Sequence, residues 1–447
     1  MRALALVAGA VLAGGGAAAA VVTLAPVAPI SVHIGHHNDR PGADSGRVAT
    51  LLDALGKTDP VVCELIGDQL GNFWSSGSSA GLGRLADAAA TMQSAKDSLS
   101  GTISDPRAIT LLVSRLAADD PCVRRVSAKL LGRSTVPTSR LASLLEDASP
   151  RIREGAALAI GEDERPELRL PLEHSLGDRT PAVATMAAWA LGQIEDKASA
   201  PVLGRIARSG NGRLRVAAVW ALGQIEDPAS VGDVLPALRD GDPVLRTIAA
   251  EALGQIESKS STAALIEALG DQVASVRAAA ADALGQVEDA TAVNALERVL
   301  ERDSDADVRR ASAQALGQLS SAHSAGVLAK ALSDKDQDVR AAAVEAIGNL
   351  DELHTAPAEL VQALSSRDAE FRRQVAQALG RIADPTTTSA LVGLLTDGDR
   401  EVRLAAVEGL GEIGTSAVMP GLTRALDDKD PEIRRVAAEK LGDMKDR

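Results

Sequence analysis

Three histidines near the start of the chain have a spacing that could bind a metal ion. The segment SVHIGHHND places His33, His36 and His37 within a few residues of Asp39. Imidazole nitrogens and a carboxylate oxygen are common zinc ligands, and zinc held in this way can activate water for hydrolysis. The same composition is typical of a solvated linker, which is the interpretation that we favour. We therefore predict neither a metal site nor a cofactor.

A serine between glycines offers a second candidate site. GSSAG at residues 77–81 fits the nucleophile-elbow pattern, with Ser79 as the nucleophile of an acyl transfer. That motif needs a strand before it and a helix after it, whereas Ser79 lies in a serine-rich stretch that we interpret as a loop. His174, His323 and His354 are scattered and form no pattern with it. We predict that the chain is not an enzyme.

The first residues indicate export. Arg2 is followed by a long uncharged apolar run, with small residues at 18–20 that suit a signal peptidase. An uncleaved membrane anchor is the alternative, because residues 3–32 carry no charge and approach the length of a membrane span. Pro26 and Pro29 and the Gly/Ala richness favour cleavage. We predict a signal peptide over 1–22, a linker over 23–46, and a periplasmic or extracellular location.

Composition favours a helical protein that does not bind nucleic acid. The 447 residues include no tyrosine, two phenylalanines and three tryptophans, and the formal net charge is −14. Aromatic side chains normally supply much of a core's buried area, whereas alanine is the best helix former and lets helices pack closely. The chain lacks the basic excess needed to neutralise phosphates.

One pattern recurs along most of the chain with a period near 31 residues. It ends in the glycine of a motif such as ALG, and an arginine stands eight residues before each of these glycines except one, where Ala184 replaces it. An acidic residue usually lies a few positions before the arginine. The glycines are Gly132, Gly161, Gly192, Gly223, Gly254, Gly285, Gly317, Gly348, Gly380, Gly411 and Gly442.

Each repeat predicts two helices joined by a short turn rich in Asp, Pro and Gly. A single helix pair cannot bury its apolar face, so neighbouring pairs must stack. We expect Leu253 and Ile256, and their equivalents, in the core. The recurrent glycine indicates that an adjacent helix passes too close for a methyl group, and the Asp and Arg series can cap second helices and link successive units.

These marks resemble the HEAT repeat family, in particular the short repeats of phycocyanobilin lyases, DxDxxVRxxAAxALGxI. The resemblance covers roughly residues 104–447 and implies an all-α solenoid (superhelix) of about 12 two-helix repeats. We assign 47–447 to it, with 72–103 as an irregular insertion or a degenerate repeat. Some HEAT-repeat enzymes are di-iron hydroxylases with His-Glu pairs after the arginine position, and this sequence contains no His-Glu dipeptide.

An earlier unit, DPVVCELIGDQLGNFW, has Cys63 in place of the arginine, and Cys122 is the other cysteine. Two cysteines in an exported chain favour a disulfide, which requires Cα atoms within about 7 Å. Cys63 and Cys122 can meet if the segment between them bulges out, but not if that segment forms a full repeat. We predict the bridge.

The remaining tryptophans stand three residues before a repeat glycine, at Trp189 and Trp220. Other repeats have polar residues there, such as Lys129 and Glu251, so we predict that both indoles point outward. In the architecture that the repeat resembles, this ridge lines the concave surface. Exposed tryptophan is favoured at interface hot spots. We predict that the surface binds a protein or peptide through Leu158, Trp189, Gln193, Val216, Trp220, Gln224, Glu251 and Gln255, with Gln286 offering a further hydrogen bond.

Two other interpretations of the tryptophans remain open. The segment near Phe73 and Trp74 could cover them, or they could mediate self-association, although we expect a monomer. The resulting functional prediction is a non-enzymatic interaction scaffold. The alternative is a lyase-like or peptidase-associated enzyme or accessory module. Bilin-lyase activity in particular fits poorly with an exported protein.

Overall fold

Helices form nearly all the regular structure of residues 45–55 and 102–445, the part of the chain that the computed structural model describes. Within these ranges the β-structure is confined to a single bridge between Ile103 and Ser134. The predictions for residues 1–22, the histidine cluster, Cys63 and Ser79 concern residues outside the described ranges, as does nearly all of 72–103.

The described helices form one leading helix and a succession of pairs. Helix α1 (Ser45–Leu55) comes first. The first helices of the pairs are α2 (Pro106–Arg115), α4 (Thr138–Leu145), α6 (Arg169–Ser175), α8 (Ala200–Ser209), α10 (Val231–Val234), α12 (Thr262–Ala268), α14 (Val293–Arg302), α16 (Ala325–Ala331), α18 (Ala358–Ala363), α20 (Thr388–Leu394) and α22 (Met419–Ala425). The second helices are α3 (Pro121–Gly132), α5 (Pro150–Glu162), α7 (Pro181–Ile194), α9 (Gly212–Ile225), α11 (Pro243–Gln255), α13 (Ala274–Val287), α15 (Ala306–Gln318), α17 (Gln337–Gly348), α19 (Ala369–Ile382), α21 (Arg400–Ile413) and α23 (Pro431–Lys445).

This order confirms the predicted all-α solenoid. Each second helix contacts the second helix of the next pair as well as its own first helix. The predicted core residues Leu253 and Ile256 are both buried. None of the described helices has the length and apolarity required to cross a lipid bilayer.

Aspartates set the starts of many second helices. The Asp242 carboxylate accepts a hydrogen bond of 2.9 Å from the backbone N–H of Val244, and Asp120 accepts from the N–H groups of Cys122 and Val123. Such caps satisfy donors that the first helical turn leaves unpaired. The capping role predicted for part of the Asp series is therefore confirmed.

The repeat glycines lie where adjacent second helices come closest. A Cβ atom on Gly254 would be 2.9 Å from the Cα of Ala283, and one on Gly317 would be 2.8 Å from the Cα of Ala346. Backbone atoms at this distance cannot move aside without separating the helices. The close approach predicted from the glycine spacing is confirmed.

Arginines link successive pairs. Arg246 donates from Nε to Oδ2 of Asp271 at 2.7 Å and from Nη2 to Oδ1 at 2.9 Å, and its Nη1 donates to the carbonyl of Asp240. This two-pronged geometry matches the planar guanidinium to a carboxylate. The same link recurs as Arg153–Asp178, Arg277–Asp303, Arg309–Asp334, Arg372–Asp397 and Arg403–Asp428. Arg215 reaches Asp240 with Nη1 alone, and its Nε donates to the carbonyl of Ala207.

The link is replaced at two junctions for a visible chemical reason. Where Ala184 takes the arginine position, Ser209 takes that of the acceptor aspartate, so donor and acceptor are lost together. Arg340 retains the arginine, but Ser366 stands at its acceptor position. Its guanidinium carbon lies 5.9 Å from the ring centroid of Phe371 and Nη1 donates to the carbonyl of Asp334.

Candidate partner-binding surface

The ridge residues, three positions before each repeat glycine, divide the second helices into two parts. From α11 onward they are exposed, as predicted, at Glu251, Asp282, Gln314, Glu345, Gln377, Glu408 and Glu439. In the earlier helices the prediction fails. Lys129 is 2% exposed, Leu158 7% and Trp189 3%, while Trp220 is half-buried.

The prediction that Trp189 points outward is therefore wrong, and the packing supplies a reason. Its Cζ3 atom is 2.5 Å from the position that a Cβ on Gly161 would take, and Cζ3 of Trp220 is 2.8 Å from the equivalent position at Gly192. The missing side chain of each glycine leaves room for a flat ring between adjacent second helices. The two tryptophans thus fill the same space in successive repeats.

The predicted exposed apolar strip is also corrected. Leu158 and Val216 are buried, with 7% and 9% of their surfaces exposed, because they pack into the core between closely spaced helices. Trp220 is the only one of the four apolar residues of the predicted strip that is half-buried and not buried, which leaves it as the apolar member of the surface. The polar residues predicted beside the strip remain accessible: Gln193, Gln224 and Gln255 are half-buried, and Glu251 and Gln286 are exposed.

An amide follows the repeat glycine in successive units, and we call Gln224, Gln255, Gln286, Gln318 and Asn349 the amide row. The Oε1 atoms of Gln255, Gln286 and Gln318 lie in the space that a Cβ on the preceding unit's glycine would occupy. Because the amide oxygen faces the neighbouring helix, the NH2 group on the other branch of the amide is directed away from that contact. The row therefore offers hydrogen-bond donors at a regular spacing. The sequence prediction missed its last two members.

A groove runs between the second helices α13, α15 and α17. Its volume is about 320 Å³, and its polar lining comes from Asp282, Gln286, Gln314, Gln318, Glu345 and Asn349. These are residues of the amide row together with the ridge residues of the same helices. The structure therefore places amide-row residues and ridge residues, both identified by their positions relative to the repeat glycine, in the lining of one groove.

Acidic ridge residues crowd one another on this surface. Desolvation by the surrounding protein raises the pKa of Glu251, and the neighbouring Asp282 carboxylate raises it further. Desolvation also raises the pKa of Asp282, although the charge of Arg310 opposes that shift. We call Glu251, Asp282 and Glu345 the carboxylate row. A raised carboxyl pKa means that the ionised form is disfavoured, so a cation nearby would be stabilising.

A second acidic series lies just beyond the ends of second helices. The left-handed glutamates are Glu164, Glu195, Glu226, Glu257, Glu288 and Glu352, with φ angles of 47°, 55°, 51°, 52°, 52° and 57°. All six are exposed. Desolvation raises the pKa of Glu195, and the carboxylates of Glu164 and Glu226 add to the shift. Sequence reasoning missed this series, although the position equivalent to Glu257 holds Gly414, a residue suited to positive φ.

The opposite end of the surface is basic. Arg124, Arg125 and Arg151 border a pocket of about 140 Å³ beside Leu158. The buried Lys129 has its Nζ 3.6 Å from Oε1 of Glu162, whose pKa burial raises despite the lysine's opposing charge. The second helices thus carry basic residues at this end and exposed acidic ridge residues from α11 onward, with largely buried apolar residues between them.

Over residues 45–55 and 102–445, no three His, Cys, Asp or Glu side chains are grouped as metal ligands would be. Cys122 lies in the first turn of α3, and its backbone N–H donates to Asp120 at 2.7 Å. Since Cys63 is outside the described ranges, the Cys63–Cys122 bridge stays a prediction.

A family model described as HEAT repeats matches residues 137–223, 205–285, 231–317, 262–348, 293–364 and 357–442. The chain belongs to the HEAT-repeat family. These matches cover the helix pairs from α4 to the last repeat glycine, consistent with the links and glycine contacts described above.

Solved structures with similar folds include natural and engineered proteins. An engineered protein is 22% identical, with a TM-score of 0.44, over 75% of this chain and 98% of its own. Kap95p, studied with RanGDP, is 16% identical, with a TM-score of 0.48, over 90% of this HEAT-repeat chain and 60% of its own. Human deoxyhypusine hydroxylase in complex with glycerol is 22% identical, with a TM-score of 0.27, over 57% and 99%. No curated protein matches the sequence.

Proposed function

We propose that this HEAT-repeat protein is a non-enzymatic scaffold that binds a segment of another protein along the second helices from α9 to α17. The observation that carries the proposal is the regular exposure of the amide and carboxylate rows on adjacent helices, beside a groove. A solenoid repeats the same contact once per unit, so weak interactions along an elongated partner add up.

The electrostatics of the surface support binding over simple solvation. The side chains of Glu251 and Asp282 are exposed, yet the surrounding protein desolvates both carboxylates. The two carboxylates are also neighbours, and the charge of Asp282 adds to the rise in the pKa of Glu251. Carboxylates whose only role is solubility need no such crowding. Trp220 supplies an apolar contact at one end of the surface, next to Gln224.

The proposed site is a revision of the predicted one. Gln224, Glu251 and Gln255 stay in it with Trp220, and Gln193 flanks it. Leu158, Trp189 and Val216 are buried, so we assign them to packing beneath the surface. The proposal also includes export, which the apolar residues 1–22 support, and a monomeric state.

Site-specific photo-cross-linking in the native host tests this function. A photoreactive phenylalanine derivative would replace Gln224 or Gln286 on the proposed surface, or Glu359 on the first helix α18 as the matched control. We expect a discrete protein adduct from the two surface positions and none from position 359. Adducts of equal yield from all three positions, or none from the surface, would contradict the proposal.

Trp220→Ala in the Gln224 cross-linking variant provides a second check. Removal of the indole from a contact surface should lower the adduct yield severalfold, as expected for an aromatic anchor. An unchanged yield would exclude Trp220 from the interface.

A further inference from the structure

We propose that the bound segment is an extended, basic polypeptide with a lysine or arginine at every third residue. This inference rests on the proposed scaffold function and specifies the chemistry of its partner. The spacing of the second helices, the orientation of the amide row and the charge of the surface each contribute one step.

Helix spacing sets the period. Adjacent packed helices are separated by about 8–10 Å. An extended chain in the polyproline II conformation advances about 3.1 Å per residue with three residues per turn, so one turn spans about one helix-to-helix step and residue i+3 faces the same way as residue i. A segment that crosses the second helices therefore presents equivalent residues to successive units when its own sequence repeats every third position.

The amide row is suited to the backbone of such a segment. Since the Oε1 atoms of Gln255, Gln286 and Gln318 face the glycines of the preceding units, the NH2 groups are available as donors. Backbone carbonyl oxygens of an extended chain lack partners within their own strand and can accept these hydrogen bonds. One amide per unit matches one carbonyl in every three residues, independent of side-chain identity.

The carboxylate row then selects cationic side chains. Glu251, Asp282 and Glu345 project beside the amide row, and the left-handed glutamates Glu226 and Glu257 add negative charge at helix ends. The carboxyl ends of helices also carry the negative end of the helix dipole, which favours cations. An approaching Lys or Arg would offset the desolvation of Glu251 and its repulsion from Asp282, which together raise the pKa of Glu251.

Arg310 does not neutralise this surface by itself. It projects from α15, where its Nη1 donates to Oε1 of Gln314 at 3.0 Å and its Nη2 lies 3.4 Å from Oδ1 of Asp307. Its hydrogen bonds are thus made within its own helix, although its charge also opposes the rise in the pKa of Asp282.

Basic residues also lie on both sides of the region from α9 to α17. Arg125 is exposed on α3, and Arg381 of α19 donates from Nη1 to Oδ1 of Asn349 at 3.2 Å. Five second helices lie in this region. At about three residues per helix, the complementary segment is about 15 residues long.

Fluorescence anisotropy with synthetic peptides tests the inference on the full-length protein. The first probe is a labelled peptide of five Lys-Ser-Ala repeats, and the second has the same composition with its lysines contiguous. A third replaces each lysine of the first with glutamate. We expect the periodic peptide to bind at least fivefold tighter than the contiguous one, and the glutamate peptide not to bind.

Matched variants assign the contact. Glu251→Gln combined with Asp282→Asn keeps the shape of both side chains and removes two charges. This double variant should bind the periodic peptide at least fivefold more weakly. Gln255→Leu combined with Gln286→Leu removes two amide hydrogen-bond donors. The affinities for the periodic and contiguous peptides should fall by similar factors. Glu359→Gln on α18 changes the same charge away from the surface and should leave the affinity unchanged.

The outcomes separate this inference from the function on which it depends. Equal affinity for periodic and contiguous peptides, or an equal effect of Glu359→Gln, would overturn the periodic basic segment. If no lysine peptide binds while position 286 still cross-links a protein, the scaffold function survives and the basic partner is wrong. Loss of both results would overturn the function itself.

Discussion

Arg309 of α15 holds Asp334 of the next helix pair by two parallel hydrogen bonds, Nε to Oδ2 and Nη2 to Oδ1, both 2.8 Å long. Their side chains are only 6% and 14% exposed. The same Asp334 carboxylate accepts a hydrogen bond from the backbone N–H of Asp336 at 2.8 Å. One carboxylate therefore orders its own turn and anchors the preceding unit.

Removal of this arginine should destabilise the stack. Arg309→Ala leaves Asp334 poorly solvated and without its cation, and we expect the free energy of unfolding to fall by about 2–3 kcal/mol. Arg434→Ala is the control, because Arg434 occupies the same position in the last described pair and donates to its own loop at Asp428. Urea unfolding followed by circular dichroism should show a loss below about 1 kcal/mol for the control. Equal losses would mean that the inter-unit bond adds nothing.

The aspartates of these links also predict the acid response. Hydrogen bonds from arginine hold the pKa values of Asp178, Asp271, Asp334 and Asp397 below their ordinary value. A depressed folded-state pKa means that the unfolded chain binds more protons as pH falls. The stabilisation is complete above the ordinary Asp pKa of about 4 and is lost as pH falls through that value toward the folded-state one.

We therefore expect the melting temperature to fall steeply below about pH 4, and Asp334→Asn to make that fall shallower. Carboxyls with raised pKa values, such as Glu251 and Asp282, act in the opposite sense, because their protonation in the folded state favours folding as pH decreases. A melting temperature that stays level from pH 6 to pH 3 would exclude a dominant role for the linked aspartates.

The repeat glycines provide a matched test of helix spacing. Gly254→Ala would place its Cβ 2.9 Å from the Cα of Ala283, so the two helices must separate, and we expect a loss of about 1–3 kcal/mol. Gly326 lies in α16 with no atom within 4 Å of an added Cβ. Gly326→Ala should therefore be neutral or stabilising by up to about 1 kcal/mol, since alanine favours helix. Thermal unfolding of both variants measures the difference.

Fold and links could be predicted because the same residue types recur at one spacing. A glycine at the position of Gly254 lies close to the next second helix in most units, and an arginine at the position of Arg246 pairs with an aspartate of the next unit in most units. Burial of Trp189 could not be predicted in this way. Its exposure was inferred from residue types at equivalent positions, but the environment of Trp189 depends on the space beside Gly161. A large ring and a glutamate at the same position use that space differently.

Trp189 should consequently contribute strongly to stability. Trp189→Ala removes a buried ring and leaves a cavity beside Gly161, so we expect a loss of about 3–5 kcal/mol. Trp220→Ala removes a half-buried ring and should cost clearly less. Urea titrations of both variants give the comparison. If Trp189→Ala unfolds like the unsubstituted protein, the indole is not a packing residue.

The left-handed glutamates predict a conflict between stability and binding. A non-glycine residue in this conformation costs about 1–2 kcal/mol, which glycine would avoid, although its greater freedom in the unfolded chain offsets part of that gain. The equivalent position in a later repeat holds Gly414, whose φ angle is 62°, so Glu257→Gly introduces a residue type that the fold already uses there. We expect the free energy of unfolding to rise by about 0.5–1 kcal/mol, measured by urea titration.

The same substitution removes negative charge from the proposed surface and should lower the affinity for the periodic lysine peptide. Glu257→Ala separates the two effects, because it removes the same charge without relieving the backbone. A Glu257→Gly variant that is no more stable than Glu257→Ala would show that glycine relieves no backbone strain at this turn.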